Sequence, residues 1–154
     1  MDTSGAIDGD SWFTIPPTGA GGRVQVRLTS AVHDSRWMPH RPNAAHGPLV
    51  SSEDGVVWVA GDTGLFDGMA EVRLAAGPVD VAVVPVGGWG PRLSAGHLEP
   101  DQAAQACALV GARFAVRVRW GTFHLPGGRD VPPGWLDRAG ETFSVAPPGA
   151  GRLC

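Results

Sequence analysis

The strongest constraint on this 154-residue chain is the stretch at residues 56–66, in which a strand pattern runs directly into an aspartate. Residues 56–59 are β-branched or aromatic, which predicts an inner strand of a sheet. Asp62 follows between Gly61 and Gly64, and glycines permit a sharp turn and close backbone approach. The pattern places Asp62 at the carboxyl end of a buried strand, where open α/β sheets carry their chemistry. The alternative is a turn aspartate that accepts hydrogen bonds from nearby backbone N–H groups.

The composition of the chain excludes several classes of protein. A formal net charge of −3 argues against a nucleic-acid-binding surface, which would be basic. No segment approaches the roughly 18 consecutive apolar residues of a membrane span, and the first residues lack the basic and apolar regions of a secretory leader. The two cysteines, Cys107 and Cys154, form neither a Cys-x-x-Cys metal motif nor a disulfide framework, which predicts a cytoplasmic location.

Strand and helix patterns alternate along the rest of the chain, which predicts an α/β sheet in a single domain. Residues 1–22 are predicted to be poorly ordered apart from a short strand near Phe13, and residues 23–154 are predicted to form the domain. Pro85 is predicted to end the pairing of its strand. The other predicted elements are strands at residues 23–32, 49–50, 56–60, 79–86, 114–118 and 142–145, and helices at residues 66–76, 100–110 and 131–139.

Side chains that can bind metals or anions follow the ends of three predicted strands. His33 comes directly after one strand and opens a loop predicted to run to residue 46. Asp62 follows a second strand, and Arg119 follows a third. Because Zn²⁺ binds histidine nitrogen and aspartate oxygen, His33 and Asp62 together predict a metal site at one edge of the sheet. His97 lies at the start of a predicted helix, where the positive helix end favours an anionic group nearby.

The order of these motifs resembles that of the metallo-β-lactamase fold hydrolases. A histidine after a strand is followed by "AGDTGLF", "VDVAVVPVGGWGP", "GHLEPDQAAQA" and "RWGTFHL". The chain looks most like the branch of sugar lactonases and N-acyl-phosphatidylethanolamine phospholipase D-like enzymes, over residues 24–145. The resemblance implies the C-terminal half of a four-layer αβ/βα sandwich, with a mixed sheet, flanking helices and a metal site at the strand ends.

The resemblance also implies a role for each candidate residue. It makes His33 a terminal ligand of one metal ion, and Asp62 a catalytic residue that bridges two ions. It makes His97 a catalytic residue beside the substrate and not a metal ligand. His124, in the motif that contains Arg119, is a further candidate at the site. The implied cofactor is zinc or another divalent metal, and the implied substrates are small-molecule esters, lactones or phosphodiesters.

Two departures from the family pattern reduce the expected activity. The His-x-His-x-Asp-His motif of the family's N-terminal half is absent, which predicts a truncated half-fold or one completed by a partner chain. Apolar strand faces left uncovered in a half-fold would favour self-association. Arg119 stands where the family has a ligand histidine, and arginine cannot bind a cation because it stays protonated. Weak or absent hydrolase activity is therefore expected.

The sequence allows two alternative environments for the Arg119 side chain. In the first, its guanidinium contacts Asp62 through charge-assisted hydrogen bonds and replaces the charge of a second metal ion. This interpretation leaves at most one weak metal site, built on His33. In the second, Arg119 continues the polar face of Arg113 and Arg117 into solvent.

Two other functions remain open at this point. A half-fold that has lost its metals would be a non-catalytic binding or interaction module. Alternatively, Asp62-Thr63-Gly64 after an apolar strand resembles the motif of retroviral-type aspartic proteases, in which two chains each supply one aspartate. Gly61 stands where those enzymes have an apolar residue, and the helical pattern of residues 100–110 does not suit their all-β fold.

Overall fold

A computed structural model describes residues 11–17, 21–33, 45–86 and 96–119. Outside these ranges lie His124, most of the predicted loop after His33, and the helix and strand predicted at residues 131–139 and 142–145. Both helices of the described part fall short of the length and apolar character that a membrane crossing needs. The strands are β1 (Phe13–Ile15), β2 (Val24–Ala31), β3 (Ala45–Ser52), β4 (Gly55–Val59), β5 (Val81–Pro85) and β6 (Phe114–Val118). The helices are α1 (Ala70–Ala76), which follows a 3₁₀ turn at Asp67–Met69, and α2 (Pro100–Val110).

The strand directions bring four strand ends to one edge of a single six-stranded sheet. The strands lie in chain order, and neighbours are antiparallel from β1 to β4. β5 and β6 run parallel to β4, as does β2. The carboxyl ends of β2, β4, β5 and β6 therefore share one edge, which we call the carboxyl edge. The mixed sheet with two helices confirms the predicted α/β class.

The two faces of the sheet differ in what covers them. Leu49, Trp58, Ala82 and Ala115 align on one face, where they are buried with residues of α1 and α2. The opposite face, which we call the open face, is also apolar; Phe13 and Val116 on it are exposed, and the valines of its central strands are half-buried. The open face includes Phe13, Val26, Val50, Val57, Val83 and Val116.

The start and end of α2 follow from its sequence. Pro100 occupies the first turn, where a missing N–H costs nothing. The Glu99 N–H donates to Gln102 Oε1 at 3.0 Å, and the Glu99 side chain accepts from the backbone N–H of Gln102, which completes a capping box. Gly111 ends the helix in the left-handed conformation. Because this cap fixes where α2 begins, it also fixes the position of His97 just before it.

The predicted strands and helices within the described ranges are confirmed, with two changes. β3 begins at Ala45, so the loop after His33 is shorter than the sequence predicts. β5 pairs with β6 through Pro85, whereas proline predicts the end of pairing. The Val86 N–H still donates to the Val118 carbonyl at 3.1 Å. The Pro85 nitrogen points toward β4, but β4 ends before it reaches Pro85. The missing N–H of proline therefore costs no hydrogen bond between strands.

Asp80 ties three strands together at the edge of the sheet opposite to the carboxyl edge. Its Oδ2 accepts the Val56 N–H at 2.9 Å, and its Oδ1 accepts Arg113 Nη1 at 3.1 Å. The Val56 hydrogen bond, together with the Arg113 guanidinium, lowers the pKa of Asp80 from its ordinary value of 3.8. A carboxyl group whose pKa is lower in the folded state stabilises the fold above its unfolded pKa, and this contribution is lost as the pH falls through the folded pKa.

Replacing Asp80 by asparagine is expected to lower the melting temperature at neutral pH, because the amide carries no charge to hold Arg113 and the Val56 N–H. The difference from the wild-type protein should shrink as the pH falls below 3.8, since the wild-type carboxylate then becomes protonated. Thermal unfolding followed by circular dichroism over this pH range measures it. Asp54→Asn, in the exposed turn between β3 and β4, is the control. A difference that stays constant with pH would contradict the assignment.

Candidate metal centre

Three side chains that can bind a metal ion converge at the carboxyl edge. His33 follows β2, Asp62 follows β4, and His97 precedes α2. One ligand atom from each of them lies within 4.8 Å of the other two, and all three residues are half-buried. The His33 and His97 rings meet edge to face, with their centroids 5.0 Å apart. The predicted proximity of His33 and Asp62 is therefore present, and His97 joins them as a third potential ligand.

The donor set fits a divalent transition metal. Two imidazole nitrogens and one carboxylate oxygen are ligand types that Zn²⁺ and related ions accept. Two ligands on a common ion with bonds of about 2.1 Å can be at most about 4.2 Å apart, so small side-chain rotations would close this set around one ion. Catalytic zinc sites characteristically use three protein ligands and keep one position open. The arrangement of His33, Asp62 and His97 meets this count within the described residues.

Two hydrogen bonds of the Val32 backbone tie the loop of His33 to the loop of Asp62. The Val32 N–H donates to Thr63 Oγ1 at 2.9 Å, and the Gly64 N–H donates to the Val32 carbonyl at 2.7 Å. Thr63 is fully buried, and its hydroxyl donates to the Gly64 carbonyl. Val32 and Thr63 are the chain neighbours of the two candidate ligands. These bonds therefore hold His33 and Asp62 at a fixed separation.

A close contact between two glycines places His97 beside this pair. A Cβ on Gly64 would lie 3.3 Å from the Cα of Gly96, which precedes His97 in the chain. This distance is tighter than most real Cβ contacts, so a side chain at Gly64 would require the Gly96 backbone to shift by a few tenths of an ångström. The glycine after Asp62 and Thr63 thus has a packing role. Sequence reasoning noted the glycine but did not identify Thr63 or Gly96 as supports of the site.

Arg119 pairs with Asp62 at the end of β6. Arg119 Nη1 donates to Asp62 Oδ1, and the two side chains are 55% and 30% exposed. Arg119 is also the one residue other than glycine with a positive φ in the described part of the chain, at 63°. This conformation costs an L-residue about 1–2 kcal/mol. The geometry agrees with the pairing hypothesis for Arg119, whereas Arg113 is engaged with Asp80 at the opposite edge of the sheet.

The other described histidine and cysteine side chains that could bind a metal do not belong to this cluster. His46 is exposed on β3 at the carboxyl edge and does not belong to the three-residue group. Cys107 is buried within α2, and burial raises the pKa of its thiol to about 12. A cysteine binds metals as the thiolate, so Cys107 is a core residue. His124, the remaining predicted site residue, lies outside the described ranges.

Replacing Thr63 by valine is expected to destabilise the protein by about 1 kcal/mol, because the partly buried Val32 N–H loses its acceptor. Metal affinity should fall as well, since the His33 and Asp62 loops lose a common anchor. Urea unfolding and metal titration by calorimetry measure the two effects. Thr63→Ser keeps the Oγ acceptor and is expected to retain most of both properties. Equal behaviour of the valine and serine variants would contradict a role for this hydrogen bond.

Known proteins with similar sequences include metal-dependent hydrolases. A "UPF0173 metal-dependent hydrolase" from Nitratidesulfovibrio vulgaris is 34% identical over 112 residues, which span 72% of this chain and 42% of that protein. The "N-acyl-phosphatidylethanolamine-hydrolyzing phospholipase D 1" of Caenorhabditis elegans is 32% identical over 89 residues, which span 56% of this chain and 25% of that protein. The chain thus spans less than half the length of either relative.

The fold and the family model agree with these sequence matches. Igni18, described as a novel metallo hydrolase from the archaeon Ignicoccus hospitalis, superposes with a TM-score of 0.59 at 23% identity. The superposition covers 86% of this chain and 56% of Igni18, and it shows a shared fold. The model of the "Beta-lactamase superfamily domain" matches residues 5–120. Because this match covers most of the sequence, the chain belongs to the beta-lactamase superfamily and carries part of its metallo-β-lactamase fold.

Proposed function

We propose that this chain binds one divalent metal ion through His33, Asp62 and His97 and takes part in metal-dependent hydrolysis. The observation that carries the proposal is the convergence of three ligand atoms within 4.8 Å at the carboxyl edge. The names of the sequence relatives, which include metal-dependent hydrolases, support the same chemistry. This proposal makes His97 a metal ligand, whereas the resemblance seen in the sequence places it beside the substrate.

Each residue of the site has a defined task in this proposal. The His33 and His97 imidazoles bind through a ring nitrogen, and Asp62 binds through a carboxylate oxygen. When bound, the ion lowers the pKa of a water molecule and polarises the bond to be cleaved. Thr63 holds the loops of His33 and Asp62 together, and Arg119 donates a hydrogen bond to the Asp62 carboxylate. The half-buried position of the three ligands leaves the site open to a small molecule.

The proposal extends to the identity of the metal, the class of substrate and the cellular location. We assign zinc as the ion because two imidazoles and a carboxylate suit it, and small-molecule esters, lactones or phosphodiesters as substrates. A cytoplasmic location is consistent with Cys107 being a free, buried thiol. Activity is expected to be weak, because Arg119 withdraws part of the Asp62 charge from the ion.

A second candidate function is an interaction module, and the open face of the sheet favours it. An apolar face that spans all six strands is characteristic of a surface that packs against another sheet. A second copy of the chain, or a partner that supplies a sheet, would cover it. Sizing chromatography of the purified protein distinguishes self-association from a monomer, and it does so independently of metal binding.

Metal titration of the purified chain tests the proposed function. Calorimetry with zinc, and elemental analysis after dialysis, are expected to give one bound ion per chain. Hydrolysis of an activated ester, a lactone and a phosphodiester would then be measured with and without a chelator. His46→Ala is the control, because His46 lies at the same edge but outside the cluster. A folded protein that takes up no metal would overturn the proposal.

A further inference from the structure

We propose that Arg119 is an anion-binding residue, which holds an oxyanion group of the ligand beside the single metal ion. The proposal rests on the proposed function, since the ion supplies the second contact. It deepens that function by naming a class of ligand: small molecules that carry a carboxylate or a phosphate.

The Arg119–Asp62 contact leaves donors of the guanidinium for a ligand. A guanidinium has five N–H groups, and one nitrogen, Nη1, contacts Asp62 Oδ1. The Arg119 side chain is 55% exposed, so solvent reaches the remainder of the group. Among the described residues, no other hydrogen bond of the Arg119 side chain is seen. An arginine fixed at one nitrogen and open at the others is suited to bidentate binding of a carboxylate or phosphate.

Asp62 places the guanidinium next to the metal position. A carboxylate has two oxygens and about four lone-pair sites, so Asp62 can accept from Arg119 and still bind an ion. Its neighbours His33 and His97 supply the other ligand atoms, within 4.8 Å. An anion that contacts both the ion and Arg119 would therefore lie beside Asp62.

The charge of the site favours such an anion. The imidazoles of His33 and His97 bind metals in the neutral form, and the single negative charge of Asp62 is matched by Arg119. The two charges of a divalent ion then have no counter-charge within this group of residues. A positive site that is half-buried attracts an anionic ligand and disfavours a second cation.

The backbone at Arg119 is shaped for this position. Arg119 has a φ of 63°, in the left-handed region that residues with a Cβ seldom adopt. It directly follows β6, whose carboxyl end lies at the edge that also carries His33 and Asp62. Strained conformations of this kind are found at ligand-binding positions, where the surrounding structure enforces them.

The test compares three variants by calorimetry, each titrated first with zinc and then, in the zinc-loaded form, with acetate or methylphosphonate. Arg119→Gln removes the charge, and Arg119→Lys keeps it. Arg113→Gln is the matched control, because it breaks the ion pair of Arg113 with Asp80 at the other end of β6. For Arg119→Gln, we expect zinc affinity equal to or higher than that of the wild-type protein, and anion affinity about ten- to a hundredfold lower.

Each outcome decides between the proposals. Retained zinc affinity with a selective loss of anion affinity, partly restored in Arg119→Lys, supports the inference. The stronger of the two probes distinguishes a phosphate from a carboxylate ligand. Unchanged anion affinity in Arg119→Gln overturns the inference and leaves the proposed function intact. A parallel loss of zinc and anion binding makes Arg119 a positioning residue for Asp62 and also overturns it. If the wild-type protein binds no zinc, the proposed function fails and this inference fails with it.

Discussion

Replacing His97 by alanine is expected to lower zinc affinity by more than about 100-fold while leaving the fold intact. Loss of an outer-shell partner of a metal ligand already costs about 10–100-fold in affinity, and a direct ligand contributes more. His97 precedes the cap of α2 and is half-buried, so alanine should disturb neither the capping box nor the core. Calorimetric titration with zinc measures the loss, and circular dichroism verifies the fold.

This substitution also separates two roles for His97. The sequence resemblance places it beside the substrate, and the geometry offers it as a metal ligand. Normal zinc affinity with lost hydrolysis would return His97 to the substrate-side role. Asp62→Asn is a useful companion, because it removes the charge of a ligand and also frees Arg119. His46→Ala, at the same edge of the sheet, should change neither zinc affinity nor activity.

Replacing Trp58 by alanine is expected to destabilise the protein by about 3–5 kcal/mol, which is the usual cost of removing a buried tryptophan. Trp58 is 1% exposed and lies in the cluster of buried residues between the sheet and the helices. Its Nε1 donates to Thr29 Oγ1 at 3.2 Å, and the Thr29 hydroxyl donates to the Gly47 carbonyl at 2.7 Å. The side chain therefore links β4 to β2 across β3. Urea unfolding followed by circular dichroism measures the change.

Two further variants divide this effect into its parts. Trp58→Phe keeps most of the apolar volume but removes the indole N–H, so its cost should be much smaller and should reflect the Thr29 hydrogen bond. Leu74→Ala, on α1, is the surface control, since Leu74 is 84% exposed and is expected to change stability by no more than about 0.5 kcal/mol. A Trp58→Ala cost close to that of Leu74→Ala would show that the cluster does not stabilise the fold.

The elements that local sequence determines could be predicted well. The start signal of α2 is Pro100 and its stop signal is Gly111, and both residues occupy the predicted positions. β4 and β6 are short runs of strand-forming residues and form where predicted. The proximity of His33 to Asp62 followed from their positions after strands that end at the same edge. The Arg119–Asp62 contact followed from the need of a partly buried carboxylate for a positive partner.

The features that depend on distant contacts could not be predicted in this way. β3 extends back to Ala45 through Gly47 and Pro48, which are poor strand formers, because pairing with β2 enforces the extended conformation. Gly47 is required there, since a Cβ would lie 2.5 Å from the Val59 carbonyl. Thr29 falls on the face of β2 with the polar pattern, yet it is buried, because Trp58 covers it. Such effects belong to tertiary packing.

The third candidate ligand illustrates the same limit for the site. Nothing in the sequence around His97 distinguishes a ligand from a residue at a helix start. Its position depends on the contact between Gly64 and Gly96, which are far apart in the chain. Thr63 and Gly64, the two residues after the aspartate, both support the site. Their roles depend on contacts between loops that are distant in the chain, so the Asp-Thr-Gly sequence alone does not reveal them. Spacing identified Asp62 but not its supports.

The positions of the site residues along the chain have a consequence for the order of folding. The hydrogen bond between Val32 and Thr63 spans 31 residues, and the contact between Asp62 and Arg119 spans 57. Contacts of this sequence separation close large loops, so we expect them to form together with long-range strand pairing such as that of Val81 with Phe114, and not at the start of folding. An ion that needs all three ligands would therefore find no complete site before these strands have paired. Bound metal would lengthen the lifetime of the folded state by slowing unfolding, and it would leave the rate of refolding nearly unchanged.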